Sequence, residues 1–589
     1  MFFRRFVAVC STFILVAVLI ACGSSKESAP PARYAFLNFE NLSGDSSLDW
    51  VTRGASEYLA RTLHNALPDV GNQSGAALTT DAIARATQTL GAHNASAPGE
   101  SSERTAAAIA GANHIVTGYI ERAPGGVRIV ASDENLVTNK TDRTLSATAG
   151  SPFDALHQLA QQFSNRAAAP PTRNGEAFRD FATALEGPTS NAEPLLQRAV
   201  ALDPAFGRAW VALTRSAVAS GNRVLAEETL ARAHQQKLAP IDRAFLDFDE
   251  NAFHGDKTAT LAAMKKVFDF DRNDRLLART LAGDETTAGA FSNAAAVWKS
   301  LTASDPNDAD AWNQLGYTLC WNGDYAGATS AIREYARIRP NNPNPLDSLG
   351  DIDYWFGKYS DAAASYAAAN TKNPGFLTGG DLYKEAWAKF RAGDKPGADA
   401  AFAKFKDART KAKDLTFPLF ESDWLYGTGR ATEAVALLRA SLKDPSTASP
   451  VRAAIADQLG VWDLLAGDRA AAIRDLTLSG TTTLTPGNLL ARFMAQPTAS
   501  ASEWEARASR VFANPELAGL RLTAVGYALV LDGKKQDAIP LWEQIVKQSN
   551  ATDFLLRNIL ARLKGQPVAH ETVPDSVTTN PFNSIPAKL

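Results

Sequence analysis

Residues 309–340 read ADAWNQLGYTLCWNGDYAGATSAIREYARIRP, and this stretch decides the fold. It predicts two antiparallel helices joined by a tight turn at Gly323, where glycine allows the left-handed backbone that ends a first helix. Ala328 lies five residues on, where a small side chain lets the two helices cross closely, and Pro340 stops the second helix.

The same marks recur on a lattice. Gly187, Gly221, Gly255, Gly289, Gly323 and Gly357 each follow the last by 34 residues. Gly393 and Gly429 follow at steps of 36 and Gly467 at 38, with Gly533 two repeats further on. Alanine stands five residues after nearly every one, at 192, 226, 294, 328, 362, 398, 434, 472 and 538, with Thr260 as the exception. Pro204, Pro306, Pro340 and Pro374 fall on the same 34-residue lattice. A repeat of this length and composition resembles the tetratricopeptide repeat (TPR). The opening stretch carries Trp312, Leu315, Gly316, Gly323, Tyr325, Ala328 and Pro340 at that family's positions, and the next copy has Leu349, Gly350, Gly357, Tyr359, Ala362 and Pro374. The resemblance covers residues 173–565, about eleven helix pairs, with degenerate copies at 241–274 and 487–515. It implies a mainly α fold, a TPR α-solenoid in which each pair buries its apolar face against its neighbours.

The bulk composition narrows the function. The chain has 589 residues, 45% hydrophobic and 21% charged, which excludes wholesale disorder. Sixty basic residues against 63 acidic ones leave no basic excess for binding nucleic acid. Three cysteines and seven histidines leave little room for a disulfide framework or a metal cluster.

The amino terminus reads as an address. Arg4 and Arg5 precede an apolar run over 6–21, short for a membrane span and right for a signal-peptide core. It ends in Leu19-Ile20-Ala21-Cys22-Gly23, which resembles the bacterial lipobox, and the polar stretch GSSKESAPPAR comes next. The resemblance implies removal of 1–21, lipidation of Cys22, a tether over 22–33 and a membrane anchor that does not span. Gly23 in place of Asp implies the outer membrane, facing the periplasm. Processing leaves 58 basic against 63 acidic residues and Cys320 as the sole thiol, so no intramolecular disulfide is expected.

Between address and repeats lies a small α/β module, 34–166, with 167–172 (AAAPPT) as linker. Strands are predicted at 34–39, 114–121, 127–136 and near 141–148, with a hairpin at Gly125-Gly126. Helices are predicted over 49–67, from Thr79 or Thr80 to Leu90, from Ser101 or Ser102 to Ala110, and over 153–166. FLNFENLSGDSSLDWVTRGASEYLARTL (36–63) and GANHIVTGYIERAPGGVRIVASDENLVTNKTDRTL (111–145) resemble a bacterial domain that often precedes TPR arrays. That resemblance implies a fold like the amino-terminal domain of TolB and no catalytic residues. The tail 566–589 holds four prolines and is expected to be disordered or an extended strap over the last repeat.

In the TPR family the first helices of the pairs line the inner groove. Carried over, those positions give Asp249 and Phe253; Tyr317 and Trp321; Asp347, Asp351, Tyr354 and Trp355; Trp387 and Phe390; and Asp423 and Tyr426. This stripe of rings and acids suits an extended peptide with apolar and basic side chains, or a glycan, while several of the rings also fit packing positions between helices. Enzyme motifs are missing: there is no HExxH, GxSxG, Walker loop or CxxC. Ser43-Gly44-Asp45 lacks the spacing of a phosphate loop, and Gly427-Thr428-Gly429 falls at a repeat turn. Cys320, mid-helix with no histidine nearby in sequence, reads as a buried structural thiol. No catalytic residue, cofactor or metal is expected. The expected function is a non-catalytic, lipid-anchored envelope scaffold for protein or peptide partners. The alternatives are a sensor whose α/β module binds a small ligand, or a glycan-binding or glycan-processing protein.

Overall fold

A computed structural model describes residues 32–67, 69–70, 73–90, 100–186, 189–478, 486–568 and 570. The signal segment, Cys22, most of the tether, Gly187 and the tail from 571 onward lie outside the described residues. The chain divides into two compact units, one of residues 1–281 with 303–306 and the other of 282–302 with 307–589.

Among the described residues of the amino-terminal unit, the strands are β1 (Arg33–Phe36), β2 (Glu40–Asn41), β3 (Asp69–Val70), β4 (Gln73–Ser74), β5 (Ala76–Ala77), β6 (His114–Ala123), β7 (Gly126–Asn135) and β8 (Lys140–Ala149). The main sheet has the order β5-β1-β6-β7-β8, with β2 added beside β6. β1 runs parallel to β5 and β6, while β6, β7 and β8 form an antiparallel meander. The expected hairpin sits at Gly125 and Gly126, whose φ angles of 91° and 138° suit glycine. Among the described residues, the helices that flank the sheet are α1 (Val51–Leu63), α2 (Thr80–Leu90), α3 (Glu100–Ala110) and α4 (Pro152–Phe163). Alternation along β1 separates two cores, as the period of two requires. Ala35 and Leu37 join Ala86 and Ala106 of α2 and α3. Phe36 meets Phe163 of α4 edge-on, with ring centroids 5.5 Å apart.

Helix pairs come after the sheet. This unit holds Gly175–Glu186 with Thr189–Leu202, Gly207–Ala219 with Arg223–His234, and Pro240–His254 with Lys257–Phe270. The copy over 241–274, degenerate in sequence, forms a regular pair turned at Gly255 (φ 76°). The carboxyl-terminal unit continues the pattern to Leu520–Leu531 with Lys535–Gln548, and then adds a single helix, Phe554–Leu563. Among the described residues the lattice glycines from 221 to 533 all carry left-handed φ, between 72° and 90°. The residue after the glycine matters as much. Asp256, Asp324, Asp394 and Asp468, each next to a lattice glycine, accept a hydrogen bond from the backbone N–H three residues on and so start the second helix. The lattice alanines pack as expected: Ala226, Ala294, Ala328, Ala362, Ala398, Ala434, Ala472 and Ala538 are fully buried. Gly350 marks another close approach, since a Cβ there would lie 2.5 Å from the Tyr366 ring. The architecture is a small α/β region followed by a TPR-like solenoid of paired helices.

Candidate functional site

Four neighbouring helices of the carboxyl-terminal unit bring together a buried polar cluster. Asp347 and Asp351 lie one turn apart on Asn344–Trp355, on one face of that helix. Gly380–Arg391 supplies Asp381 and Lys384, Ala309–Trp321 supplies Tyr317, and Tyr359–Lys372 supplies Tyr366. Lys384 Nζ donates to Asp347 Oδ1 at 2.7 Å and to Asp351 Oδ1 at 2.9 Å. Tyr317 and Tyr366 donate their hydroxyls to the two Asp351 oxygens at 2.8 and 2.9 Å. Burial raises the Asp351 carboxyl to about 6, against the pull of Lys384 and with a push from Asp347. Asp381 is the odd member: neither of its oxygens accepts a hydrogen bond from a donor among the described residues. Burial, a hydrogen bond with Asp347 and that residue's charge raise Asp381 to about 8. It is therefore a neutral acid at pH 7. Sequence spacing could not show that one lysine would serve several carboxylates. The only hint was Lys384 itself, at a position where a first helix packs on its neighbours.

The aromatic stripe is largely occupied with packing. Tyr354 is buried against Tyr359 at 5.1 Å. Trp387 is buried and meets Trp424 at 4.9 Å and Phe390 at 6.0 Å. Tyr426 stacks on Trp462 at 4.2 Å, with planes 9° apart. Asp423 accepts the Tyr383 hydroxyl at 2.8 Å. Half-buried Trp321 lies between Tyr317 and Phe291, at 5.9 and 6.1 Å. Trp355 is 8% exposed, and its Nε1–H has no acceptor among the described residues. Cys320 is buried, and burial followed by the Asp351 charge pushes its thiol up to about 12, which removes it as a thiolate nucleophile at neutral pH.

Asp249 and Phe253 belong to the amino-terminal unit and to a different arrangement. Asp249 Oδ2 receives Arg215 Nε at 2.7 Å, and the same guanidinium reaches Asp81 at the start of α2 at 2.6 Å. Arg208 also reaches Asp81 at 2.6 Å and Glu57 of α1 at 3.5 Å. Arg61 of α1 bonds Asp242 at 2.9 Å, and Arg85 of α2 pairs with Asp274. The α/β module thus locks onto the first helix pairs through carboxylates and guanidiniums from both sides. Phe178 adds an apolar part between Trp50 and Tyr58, at 6.1 and 5.7 Å. Burial would raise the Asp81 carboxyl, but Arg208, Arg215 and Arg85 outweigh it and hold Asp81 well below the usual carboxylate range. Asp242 and Asp249, with fewer guanidiniums close by, are raised by burial despite Arg61 and Arg215. A cavity of about 30 Å³ lies among Glu57, Arg61, His64, Asp81, Arg208 and Phe245, room for one water. Phe253 is half-buried beneath the Arg223 guanidinium, 4.8 Å from its ring centroid.

His234, Asp247 and Glu250 place potential ligand atoms within 4.8 Å of one another. Arg243 already meets His234 Nδ1 at 2.8 Å, and Lys266 meets Asp247 at 3.5 Å, so cations of the chain itself serve this group.

No protein-family model and no curated protein matches the chain. Solved structures with a similar arrangement of helices include the MamA protein, at 20% identity over 30% of this chain and 95% of that one, with a TM-score of 0.25. A tetratricopeptide repeat protein from Parabacteroides merdae is 12% identical over 41% of this chain and 94% of its own, with a TM-score of 0.28. The carboxyl-terminal part of a TPR repeat-containing protein from Cytophaga hutchinsonii is 14% identical over 39% and 92%, also with a TM-score of 0.28. Each covers less than half of this chain, and none bears on its partners. The TPR-like reading rests on the chain's own helix pairs and their left-handed glycine turns.

Proposed function

We propose that the chain is a lipid-anchored scaffold of the bacterial cell envelope, tethered through Cys22 and holding protein or peptide partners on its helix repeats without catalysing a reaction. The observation that carries this reading is the array of helix pairs, which offers a long series of equivalent first-helix faces. The Leu19–Gly23 motif supports the anchor. Among the described residues no helix is long and apolar enough to cross a membrane. Cys320 offers no thiolate for covalent chemistry, since its thiol is pushed up to about 12. The chain with Cys22→Ala is expected to move from the membrane pellet to the soluble fraction. Trp321→Ala, at a half-buried ring, is expected to lower partner recovery from solubilised membranes with the helical circular-dichroism signal unchanged. Recovery equal to wild type sinks the groove reading.

The junction around Asp81 favours a second reading, in which the α/β module senses a ligand and the repeats carry the response. Its cavity of about 30 Å³ is too small for such a ligand, so the module would have to bind it on an outer surface and transmit a rigid-body shift. A small molecule that raises the melting temperature of the full chain supports this second reading.

A further inference from the structure

The carboxyl-terminal segment does not finish on its own helix pair. Past the helix Phe554–Leu563, residues 566–568 have no regular structure, and His570 is placed at Trp355. There the imidazole stacks on the Trp355 indole, with centroids 4.4 Å apart and planes 13° from parallel. Its Nδ1 lies 3.1 Å from the Trp355 carbonyl oxygen and donates to it, although 215 residues separate the two. Asn558 Nδ2 donates to the His570 carbonyl at 3.2 Å and fixes the segment from the other side. Phe554 covers the edge of the same indole at 4.4 Å. Close in sequence, the Ala551 N–H donates to the Thr287 carbonyl at 2.9 Å.

Helix repeats need contacts only with their neighbours, so this distant contact is not packing that the repeat requires. Its form is that of peptide recognition: a flat ring lies on an aromatic surface and adds a hydrogen bond to the main chain. The fit is incomplete. The segment meets the indole face and the carbonyl of Trp355, but the indole N–H, on a residue 8% exposed, stays without an acceptor among the described residues. A buried donor left unpaired is destabilising, so a ligand that supplies an acceptor gains over the occupant in place.

We propose that the surface at Trp355 is a peptide-binding subsite, occupied in this structure by the chain's own His570 segment. Its external ligand is an extended peptide that presents a flat ring, aromatic or imidazole, and an acceptor for the indole N–H. The proposal rests on the scaffold reading above and makes it conditional: the subsite opens when a partner displaces the His570 segment. A tethered segment acts at an effective concentration near the millimolar range, so only a better-fitting or locally concentrated peptide displaces it.

The test uses the full chain, the chain ended after Gly565, and the His570→Ala chain. The probe is a labelled synthetic peptide, GQPVAHE, which repeats residues 565–571. Fluorescence anisotropy is expected to show binding to the shortened chain at least about tenfold tighter than to wild type, since freeing an occupied site raises apparent affinity by the inverse of its free fraction. The His570→Ala chain should fall between the two, and the same peptide with alanine for histidine should bind the shortened chain at least about tenfold more weakly. Should the shortened chain lose its fold by circular dichroism, the His570→Ala chain carries the comparison. Equal binding to wild-type and opened chains overturns the proposal, as does indifference to the histidine in the peptide. A shortened chain that binds the peptide yet recovers no more partner than wild type would leave the subsite standing and count against the scaffold reading alone.

Discussion

The junction around Asp81 and the cluster around Lys384 both take charge out of water, but with different balances of acid and base. At the junction, Arg61, Arg85, Arg208 and Arg215 face Glu57, Asp81, Asp242, Asp249 and Asp274. In the cluster, Lys384 is the one cation among the described residues that faces Asp347, Asp351 and Asp381, and two tyrosine hydroxyls donate to Asp351. Planar guanidiniums fork between carboxylates and keep Asp81 ionised. A single ammonium cannot do so for three acids, and the cluster meets its shortfall with a proton on Asp381. Burying charge is thus tolerated by two routes, pairing in one unit and proton uptake in the other.

The two routes respond differently to mutation and pH. Arg208→Ala strips Asp81 and Glu57 of a shared partner inside the protein, and a broken buried pair costs about 3–5 kcal/mol. Denaturant unfolding should show the amino-terminal unit destabilised by that amount, with the carboxyl-terminal transition unmoved; a loss under about 1 kcal/mol would mean the junction is not held by charge. Asp81, held below its unfolded value, contributes stability that is fully present above about pH 4 and is lost as pH falls through its folded value.

Asp381 runs the opposite way. Its folded value is raised to about 8, so the native state holds a proton that the unfolded chain releases near its ordinary value of 3.8. Stability therefore falls as pH rises between those limits and levels off above about 8. Asp381→Asn keeps the shape and the donor of the neutral acid and removes that cost. It should stabilise the carboxyl-terminal unit by about 1–3 kcal/mol at pH 8, the scale for a buried polar group in an unfavourable state, and by little at pH 4. Thermal melts across pH 4–9 check this, and parallel curves for wild type and variant would refute the native-state proton on Asp381.

The repeat is legible in the sequence because its signals are local and periodic. A left-handed turn needs glycine wherever it occurs, and helices that cross closely need alanine, so Gly323 and Ala328 carry their reasons with them. The α/β elements are legible for a similar reason, with Gly125-Gly126 placing the meander in register. Long-range pairing stays hidden. Asp249 has the spacing of a groove acid, yet it serves Arg215 and through it the α/β module. Nothing near Asp81 announces that Arg208 and Arg215 will reach it from over 120 residues away. Trp355 has the spacing of a groove ring, and no local signal shows that His570 lies on it. The aspartate that succeeds four of the lattice glycines is a local signal of equal value: it caps the second helix as the glycine ends the first.

A third group separates acid–base ratio from burial as the cause of proton uptake. Asp463 and Asp475 share Arg439, at 2.8 and 3.0 Å. The ratio of acid to base lies between those of the other two sites, and the arginine is 40% exposed. Burial, opposed by Arg439 and helped by a hydrogen bond and charge from Asp475, raises Asp463 to about 6. Its native proton is therefore held over the narrower window from 3.8 to about 6, and stability falls across that window as pH rises. Water around Arg439 screens the interaction, so Asp463→Asn should stabilise by only about 0.5–1 kcal/mol at pH 7. A gain as large as that from Asp381→Asn would mean that two acids beside one base suffice for the effect. No gain at all would place the cause in burial, because solvent reaches this group through its arginine and does not reach Asp381.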